Sequence, residues 1–278
     1  MANNITILLH REDPYPLVRA HLIWYLVDCW QEMGIQVEIL KGPSTKQRQF
    51  DLLFPHIDLT KVPQRYVRLM DRNAKVINRK ITDISKRRIS RNLESKKSAY
   101  NGPVIVKTNA NYGGIPETQL RGLKEIISTK LHQTFSPHLI RSMNPHMYPI
   151  YDSLREVPEI VWKNRNLIVE RFIPERRDGD YSIRVCFFLG DAILNYKIYS
   201  RSKVIKGSTI ESYEPVEFPE SLLQIREEIG LDYGKFDYVI HEGKVHILDA
   251  NKTPGGVSSI ELNTMIAQRL ANGIRKYL

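Results

Sequence analysis

Short apolar runs alternate with amphipathic stretches over about the first 80 residues of the chain. The runs have the length of β-strands, and the stretches between them repeat apolar residues at helical spacing. Strands that alternate with helices predict a small, mostly parallel α/β sheet. We predict a strand and loop over 4–13, a strand over 35–42, a strand with its loop over 50–60 and a short strand over 75–79, and helices over 15–34 and 62–74.

The pattern changes after residue 80. A basic segment predicts a helix over about 84–97. It is followed by an apolar strand that ends at Lys107 and then by a long irregular or helical middle. From residue 166 onward strand-like runs dominate, and a closing helix follows the last of them. These changes predict a mixed α/β and α+β fold in three units, which span residues 1–80, 81–165 and 166–278.

The net charge of +10 favours an anionic partner. The densest basic patch, residues 79–97, holds eight Lys or Arg and two acids, with no aromatic residue before Tyr100. Modules that bind nucleic acid usually interleave aromatic side chains for base stacking, so this pattern argues against nucleic acid as the partner. A solvated surface accounts for most of these charges.

The chain has two cysteines, Cys29 and Cys186, which fall in a predicted helix and a predicted core strand. Buried, unpaired cysteines fit a reducing cytosol, so we expect a cytoplasmic protein. No run approaches the roughly 18 apolar residues of a membrane helix, and we expect no membrane span.

Three oxygen-bearing side chains cluster in the hairpin sequence FDYVIHEGKVHILDANKTPGG. Alternation puts Asp249 and Asn251 on one face of the second strand, and pairing across the hairpin could bring Asp237 beside them. Carboxylate and amide oxygens are the ligands of a hard cation such as Mg²⁺. The alternative is an Asx turn at Asn251 that only ends the strand.

A lysine at the end of an apolar strand, Lys107, precedes a loop that ends in Gly113-Gly114. The lysine can neutralise phosphate while glycine lets backbone N–H groups approach it closely. The sequence is not a Walker A motif, and a simple turn after a strand explains the two glycines equally well.

Two later strands carry further candidates. The strand 166–175 enters a loop at Pro174, an edge whose backbone can read adenine, and Glu175 beside it can take ribose hydroxyls. Arg184 lies on a strand whose alternate residues are apolar. If its guanidinium points inward, it needs an anionic partner, and if it points outward, it is solvated. Of the four basic residues that follow, most are expected in solvent: Lys197, Arg201, Lys203 and Lys206.

In this order the elements resemble the ATP-grasp superfamily over about residues 80–260. The hairpin is similar to the D…E-x-N…P-G pattern of that superfamily, and Lys107 with Gly113-Gly114 resembles its second nucleotide lysine and phosphate loop. Lys86 is the best match to its first lysine, with Arg79, Lys80 and Arg87 as competitors. The segment IVERFIPE resembles its adenine hinge, which implies backbone contacts from Glu170, Arg171 and Phe172 and a ribose contact from Glu175.

The segment YSIRV resembles the D-x-R-V strand of the superfamily, which implies that Arg184 faces phosphates or an acyl phosphate. Two positions depart from the pattern. Asp249 stands where most members have Glu, which puts a bridging role between two ions in doubt. Ser182 replaces the Asp of D-x-R, and Asp180 or Asp178 could stand in for it.

The resemblance implies a ligase that uses ATP and Mg²⁺, with two ions expected and Mn²⁺ as a substitute. Such a ligase phosphorylates a carboxylate and lets an amine or similar nucleophile attack the acyl phosphate, while the loop 109–114 closes over the phosphates. Asp237, Asp249 and Asn251 would hold the metal, and Lys86, Lys107 and Arg184 would offset phosphate charge. The alternatives are a kinase of the same fold that phosphorylates a hydroxyl, and a basic protein that binds nucleic acid without catalysis.

The excess positive charge suggests an anionic acceptor. We expect its pocket between the N-terminal unit and the hairpin, with His10, Arg11 or the loop near Tyr112 in its wall.

Overall fold

The computed structural model describes residues 4–15, 21–43, 49–120, 140–257 and 259–278. These residues form three β-sheets with helices around them. The parts of the predicted first helix over 16–20 and of the predicted middle over 121–139 lie outside the described residues.

The first sheet is parallel, as predicted. Its strands are β1 (Asn4–Leu9), β2 (Gln36–Lys41) and β3 (Leu52–His56), in the order β2-β1-β3. Helix α1 (Ile23–Glu32) connects β1 to β2, and α2 (Gln64–Asp71) follows β3. The predicted strand at 75–79 is wrong, because only Val76 forms a bridge, to Leu53, and no ladder extends from it.

The middle of the chain forms a small antiparallel sheet. Its strands are β4 (Val104–Thr108), β5 (Ile150–Tyr151) and β6 (Leu167–Arg171), in the order β5-β4-β6. A 3-10 turn (Asn111–Gly114) and helix α4 (Ile115–Gln119) follow β4, and α5 (Glu159–Lys163) precedes β6. Since β6 belongs to this sheet, the central unit extends past the predicted boundary at residue 165.

The predicted helix over 84–97 is reduced to α3 (Lys86–Ile89). Beyond it the backbone is used to extend the central sheet. Glu94 N–H donates to the Val169 carbonyl at 2.9 Å, and Arg171 N–H donates to the Asn92 carbonyl at 2.9 Å. Backbone groups that bond to β6 cannot also make helical i to i−4 bonds, so the basic residues of this segment lie along an extended edge.

The third sheet is antiparallel and contains the predicted hairpin. Its main path runs β10-β9-β8-β11-β12, and β7 pairs with β8. The two hairpin strands meet at Glu242 and Gly243, which both have positive φ, as a tight two-residue turn requires. The strands are β7 (Glu175–Arg177), β8 (Asp180–Leu189), β9 (Ala192–Ser200), β10 (Ser212–Pro215), β11 (Tyr233–His241) and β12 (Lys244–Asn251), with helix α6 (Ser221–Ile229) before β11.

The closing helix is α7 (Ile260–Ala271), and the Ser259 hydroxyl caps it by accepting the Leu262 N–H at 3.1 Å. This helix packs against α1. The Trp30 indole N–H, fully buried, donates to the Ala271 carbonyl at 3.1 Å. The N-terminal sheet, α1, α7 and one face of the third sheet therefore share one hydrophobic core.

The central sheet has a separate hydrophobic core. It consists of Val104, Val106, Leu167 and Val169 on the strands, with Leu154, Val157 and Val161 from the segment before β6. Because this core is not continuous with the shared one, the central lobe can shift relative to the rest without exposing either core.

Candidate functional site

Two carboxylates face each other across the hairpin. Asp237 on β11 is paired in register with Asp249 on β12, and both side chains therefore point to the same face of the sheet. A register shift follows at once, between Asp237 and Tyr238, which is a β-bulge. Such bulges re-aim side chains next to functional sites.

Lysines from separate parts of the chain converge on these aspartates. Lys86 of α3 is buried, and its ammonium lies 3.3 Å from Asp249 Oδ1 and 3.2 Å from the Ala110 carbonyl. Lys235 lies 2.9 Å from Asp237 Oδ1. Burial alone would raise the pKa of Asp249, but nearby lysines hold it below its ordinary value: Lys86, Lys206, Lys107 and Lys235.

A narrow cleft separates the third sheet from the central sheet, and we call it the lysine cleft. The carboxylates form one wall with Ile183, and β4 forms the other with Ile105 and Lys107. The remaining wall residues include Lys86, Tyr112, Tyr148, Arg171, Phe172, Ile173, Pro174, Lys203 and Lys206. Apolar and charged side chains together line this cleft, which is the composition that a nucleotide needs.

The lysine cleft measures about 90 Å³. Pockets for small molecules usually measure about 300–1,000 Å³, so a nucleotide needs the two walls to part. The separate core of the central lobe permits this movement.

Of the four candidates for a first lysine, only Lys86 reaches the lysine cleft. The Arg79 guanidinium donates to the carbonyls of Asn73 and Ala74, and Arg87 donates to the Leu167 carbonyl at 2.8 Å. Lys80 packs against Gly230. The basic segment thus supplies one buried cation to this cleft.

Lys107 forms an ion pair with Glu170, which lies diagonally across from it on the neighbouring strand β6. Their nitrogen and oxygen are 2.7 Å apart, and their side chains are 12% and 3% exposed. Lys107 therefore carries a carboxylate partner of its own while it also lines the cleft. The Glu170 side chain is therefore part of the site. From the sequence, only the backbone of Glu170 was a candidate, as a contact for adenine, and this role of its side chain was not predicted.

The backbone N–H groups of Arg171 and Phe172, which belong to the predicted adenine hinge, have partners inside the protein. Arg171 N–H is bonded to the Asn92 carbonyl, and Phe172 N–H donates to the Pro103 carbonyl at 2.8 Å. These two donors are therefore committed inside the protein. The side chains of both residues, with Ile173 and Pro174, still line the cleft.

Gly113 and Gly114 are buried and do not line the lysine cleft. A Cβ on Gly113 would lie 2.1 Å from the Met143 carbonyl oxygen, and one on Gly114 would lie 2.7 Å from that of Arg141. Both have positive φ, at 69° and 77°. The glycines thus allow the turn to pack against residues 141–143, and Tyr112 is the residue of this turn that faces the cleft.

Asn251 forms the Asx turn that was the alternative to metal binding. Its carboxamide oxygen accepts the Thr253 N–H at 2.9 Å and the Thr253 hydroxyl at 3.3 Å. Its pairing with Lys235 places it on the same face as the two aspartates, as predicted. A metal contact from this oxygen would have to share it with Thr253.

Arg184 and Glu175, predicted to contact phosphate and ribose, lie on the other face of the third sheet from the two aspartates. Val185 is paired with Asp237, which puts the preceding residue, Arg184, on the opposite face. There Glu175 binds Arg184 at 3.1 Å, Lys197 at 3.0 Å and the Ile240 N–H at 2.7 Å. The three side chains form a half-buried ion cluster that joins three strands.

Two residues that line the cleft were not singled out from the sequence. Tyr148 is buried, and burial raises the pKa of its hydroxyl to about 12. Burial lowers the pKa of Lys206 to about 8, although Asp249 and Asp237 oppose this. Lys206 lies in a run of four basic residues, and no spacing in that run distinguishes it from the other three, Lys197, Arg201 and Lys203.

Within the described ranges, no group of three or more His, Cys, Asp or Glu side chains could hold a metal ion. Two carboxylates are the acidic ligands at hand. Mg²⁺ is usually bound by one or two carboxylates and completes its shell with water and substrate phosphates, so this donor set fits it. No described helix is long and apolar enough to cross a membrane.

No protein-family model matches the chain, and no curated protein matches its sequence. Solved structures do match its fold. A RimK-domain ATP-grasp protein from Sphaerobacter thermophilus has 12% identity and a TM-score of 0.51, over 97% of this chain and 99% of that one. The ATP-grasp ligase PsnB, in complex with a minimal precursor, Mg and ADP, has 11% identity and a TM-score of 0.52, over 100% and 99%.

D-alanine–D-alanine ligase from Bacillus anthracis is also similar in structure, with 12% identity and a TM-score of 0.50 over 99% of this chain and 97% of that one. The chain therefore has the ATP-grasp fold, which confirms the predicted resemblance and fold class. At these identities the similarity extends to the fold and not to substrates or mechanism.

The packing of Gly113 predicts that Gly113→Ala lowers the free energy of unfolding by about 3 kcal/mol, since the new Cβ meets a carbonyl and the backbone φ is positive. Gly179→Ala is the matched control, because Gly179 has a φ of 94° but nothing within 4 Å of the added Cβ. It should cost about 1 kcal/mol. Urea denaturation measures both, and equal losses would show that the contact with residues 141–143 is unimportant.

The ion cluster predicts a pH-dependent contribution from Glu175. Burial alone would raise its pKa, but Ile240 N–H, Lys197 and Arg184 together hold the pKa below the ordinary 4.5. A depressed carboxylate pKa stabilises the fold above the ordinary value, and that stabilisation is lost as the pH falls through the lower, folded-state pKa.

Glu175→Gln should therefore reduce the free energy of unfolding by about 2 kcal/mol at pH 7, with a smaller difference from the wild type at pH 3.5. Glu228→Gln is the control, because Glu228 pairs with Arg91 on the exposed surface; it should change stability by less than about 0.5 kcal/mol. Denaturant titrations at both pH values measure this. A difference for Glu175→Gln that is constant with pH would contradict the ion cluster.

Proposed function

We propose that the protein is an ATP- and Mg²⁺-dependent, ADP-forming ligase that joins a carboxylate to an amine or similar nucleophile through an acyl phosphate. The observation that carries this proposal is the pair Asp237 and Asp249, in register at the wall of a cleft that also contains Lys86, Lys107 and Lys206. The ATP-grasp fold supports it, because PsnB and the D-alanine–D-alanine ligase of that fold are named as ligases.

In this proposal Asp237 and Asp249 hold Mg²⁺, and Asn251 is a further oxygen ligand only if it gives up a contact to Thr253. When bound, the ion would neutralise phosphate oxygens and align the γ-phosphoryl group for transfer. The donor set, two carboxylates with lysines beside them, supports this assignment and leaves the number of ions open.

The lysines have the complementary role. Lys86 and Lys107 each have a carboxylate partner, Asp249 and Glu170, within 3.3 Å and 2.7 Å. Polyphosphate in the cleft would share these cations with the carboxylates, which are already in place and need little reorganisation. This role replaces the one that the sequence assigned to Arg184, which lies on the far face of the sheet.

The apolar side chains of the cleft would receive the adenine ring. They include Ile105, Ile183, Phe172 and Pro174. Closure of the central lobe after binding would exclude water from the phosphates and protect a hydrolysable acyl phosphate. Tyr112, which is 48% exposed and lines the cleft, is the residue of the turn most able to cover them.

The basic segment gives no support to a nucleic-acid-binding role. Two of its exposed cations take part in ion pairs, Arg91 with Glu228 and Lys96 with Glu159, and part of it extends the central sheet. Charge remains the only argument for that role, whereas the paired aspartates would have no purpose in it.

Thermal unfolding with Mg²⁺ and a non-hydrolysable ATP analogue tests the nucleotide site. At about one hundred times its dissociation constant, the analogue should stabilise the wild type by about 2.7 kcal/mol, a rise in Tm of about 5 °C for a chain of this length. The rise should require Mg²⁺ and should vanish in Asp237→Asn and Lys107→Ala. Asp191→Asn is the control, because Asp191 is an exposed partner of Lys276, and its rise should equal that of the wild type.

No rise in the wild type at saturating analogue would reject the nucleotide site. A rise that survives in Asp237→Asn would reject the metal assignment. If the site holds, incubation with ATP and mixed carboxylates and amines should release ADP and inorganic phosphate in equal amounts. ADP with a phosphorylated product and no free phosphate would instead indicate a kinase.

A further inference from the structure

A second, larger cavity lies beside the lysine cleft, and we call it the arginine cavity. It measures about 670 Å³ and opens between the N-terminal unit and the central lobe. His10 and Arg11 follow β1 and Arg65 lies on α2, so the predicted pocket residues of the first strand are in its wall. The rest of the wall is Glu12, Leu59, Thr60, Lys61, Ser85, Asn109, Ala110, Glu117, Leu120, Arg141 and Asn166.

Three arginines in this wall have no ion-pair partner in the part of the chain that the structure describes: Arg11, Arg65 and Arg141. The fourth cation, Lys61, pairs with Asp83 at 3.0 Å. Unpaired guanidinium groups on a concave surface are strong sites for anionic oxygens, which they can bind through two parallel hydrogen bonds.

The acidic groups in the wall do not neutralise these arginines. Glu117 is committed to the N-terminal unit, because its Oε1 accepts the Thr60 N–H at 2.8 Å. Glu12 is the other carboxylate, and its backbone N–H donates to His10 Nδ1 at 3.2 Å. Among the wall residues that the structure describes, four cationic side chains face two carboxylates, an excess of two positive charges.

Buried contacts hold two of the arginines in place. Tyr66 is fully buried, and its hydroxyl accepts the backbone N–H of Arg11 at 3.0 Å. The Arg65 guanidinium lies 5.3 Å from the centroid of the Tyr66 ring. His10 is buried beside them, and burial, reinforced by the charge of Arg65, lowers its pKa. A neutral imidazole then adds no further positive charge to this side of the cavity.

A thin partition separates the arginine cavity from the lysine cleft. Ser85, Asn109 and Ala110 line the cavity, and the adjoining Lys86 and Tyr112 line the cleft. The Lys86 ammonium, which donates to the Ala110 carbonyl at 3.2 Å, crosses this partition. A molecule in the cavity would therefore lie next to the place where phosphate is expected.

We propose that the arginine cavity binds the acceptor of the ligase reaction, and that this acceptor carries, besides its reacting carboxylate, anionic groups that Arg11, Arg65 and Arg141 hold. The proposal rests on the proposed function and names its substrate class. Carboxylate and phosphate share the required chemistry of anionic oxygens, and the test distinguishes them. Because Arg141 belongs to the central lobe and Arg11 and Arg65 to the N-terminal unit, such an acceptor also joins the two units.

Direct binding without nucleotide tests the proposal independently of the reaction. The probes are the dipeptide Glu-Glu for carboxylates, O-phosphoserine for phosphate and the dipeptide Gln-Gln as a neutral analogue, each titrated by calorimetry. Glu-Glu or O-phosphoserine should bind at least tenfold more tightly than Gln-Gln. The tighter of the two anionic probes identifies the anionic group.

The variants Arg65→Gln and Arg141→Gln should each weaken that probe at least tenfold. Arg68→Gln is the matched control, since Arg68 is exposed on the same helix and does not line the cavity; it should change the affinity by less than twofold. The non-hydrolysable ATP analogue with Mg²⁺ should bind all three variants as it binds the wild type, and at saturation it should not displace the probe.

The experiments distinguish failure of the acceptor site from failure of the proposed ligase function. Analogue binding that is normal while neither anionic probe binds more tightly than Gln-Gln would overturn the acceptor site and leave the nucleotide site intact. Displacement of the probe by the analogue would also overturn it, because the probe would then occupy the lysine cleft. Probe binding that depends on Arg65 and Arg141, in a protein that does not bind the analogue, would keep the anion site and reject the ligase function.

Discussion

The main constraint on the site is the electrostatic repulsion between two carboxylates that lie side by side. Asp237 and Asp249 are paired in register on neighbouring strands, where like charges repel unless cations compensate them. The cations come from elements far apart in sequence: Lys86 before the central sheet, Lys206 after β9 and Lys235 on the hairpin itself. The compensated pair therefore exists only when the central and C-terminal parts of the chain are assembled.

The N-terminal unit helps to fix the hairpin that carries these carboxylates. Directly after β12, the buried Lys252 donates to the carbonyls of Ile57 and Leu59, both at 2.6 Å, and the Thr253 hydroxyl donates to Asp58 at 2.7 Å. These contacts attach the end of the hairpin to the loop after β3. The shared core of α1, α7 and the third sheet adds to this rigid support, while the central lobe, with its own core, is the part that can move.

The local pattern of apolar and polar residues was sufficient to predict those elements whose structure is determined by their own residues. The parallel first sheet, the hairpin with its Glu242-Gly243 turn and the closing helix all follow from periodicity and turn chemistry. Prediction failed where a distant strand competes for the backbone. The basic segment 84–97 has helical composition, yet residues 92–94 bond to β6, and β6 begins more than seventy positions later.

The same distinction holds for the site. Asp237, Asp249 and Lys107 could be identified because alternation and strand ends are local properties. Arg184 could not be assigned, because the face it occupies is set by the pairing of Val185 with Asp237 and by its neighbours Glu175 and Lys197. The side-chain contact of Glu170 and the position of Lys206 could not be predicted from the sequence. Both depend on partners from other elements, and the spacing of residues in their own segments does not indicate those partners.

The partition between the two cavities connects these observations. It consists of the start of α3 and the turn after β4, and Lys86 crosses it to reach both the Ala110 carbonyl and Asp249. In the proposed reaction the phosphoryl group must pass from one side of this partition to the other. Lys86 contacts both the partition and a carboxylate of the hairpin. Its position, rather than the excess charge of the basic segment around it, therefore links nucleotide to acceptor.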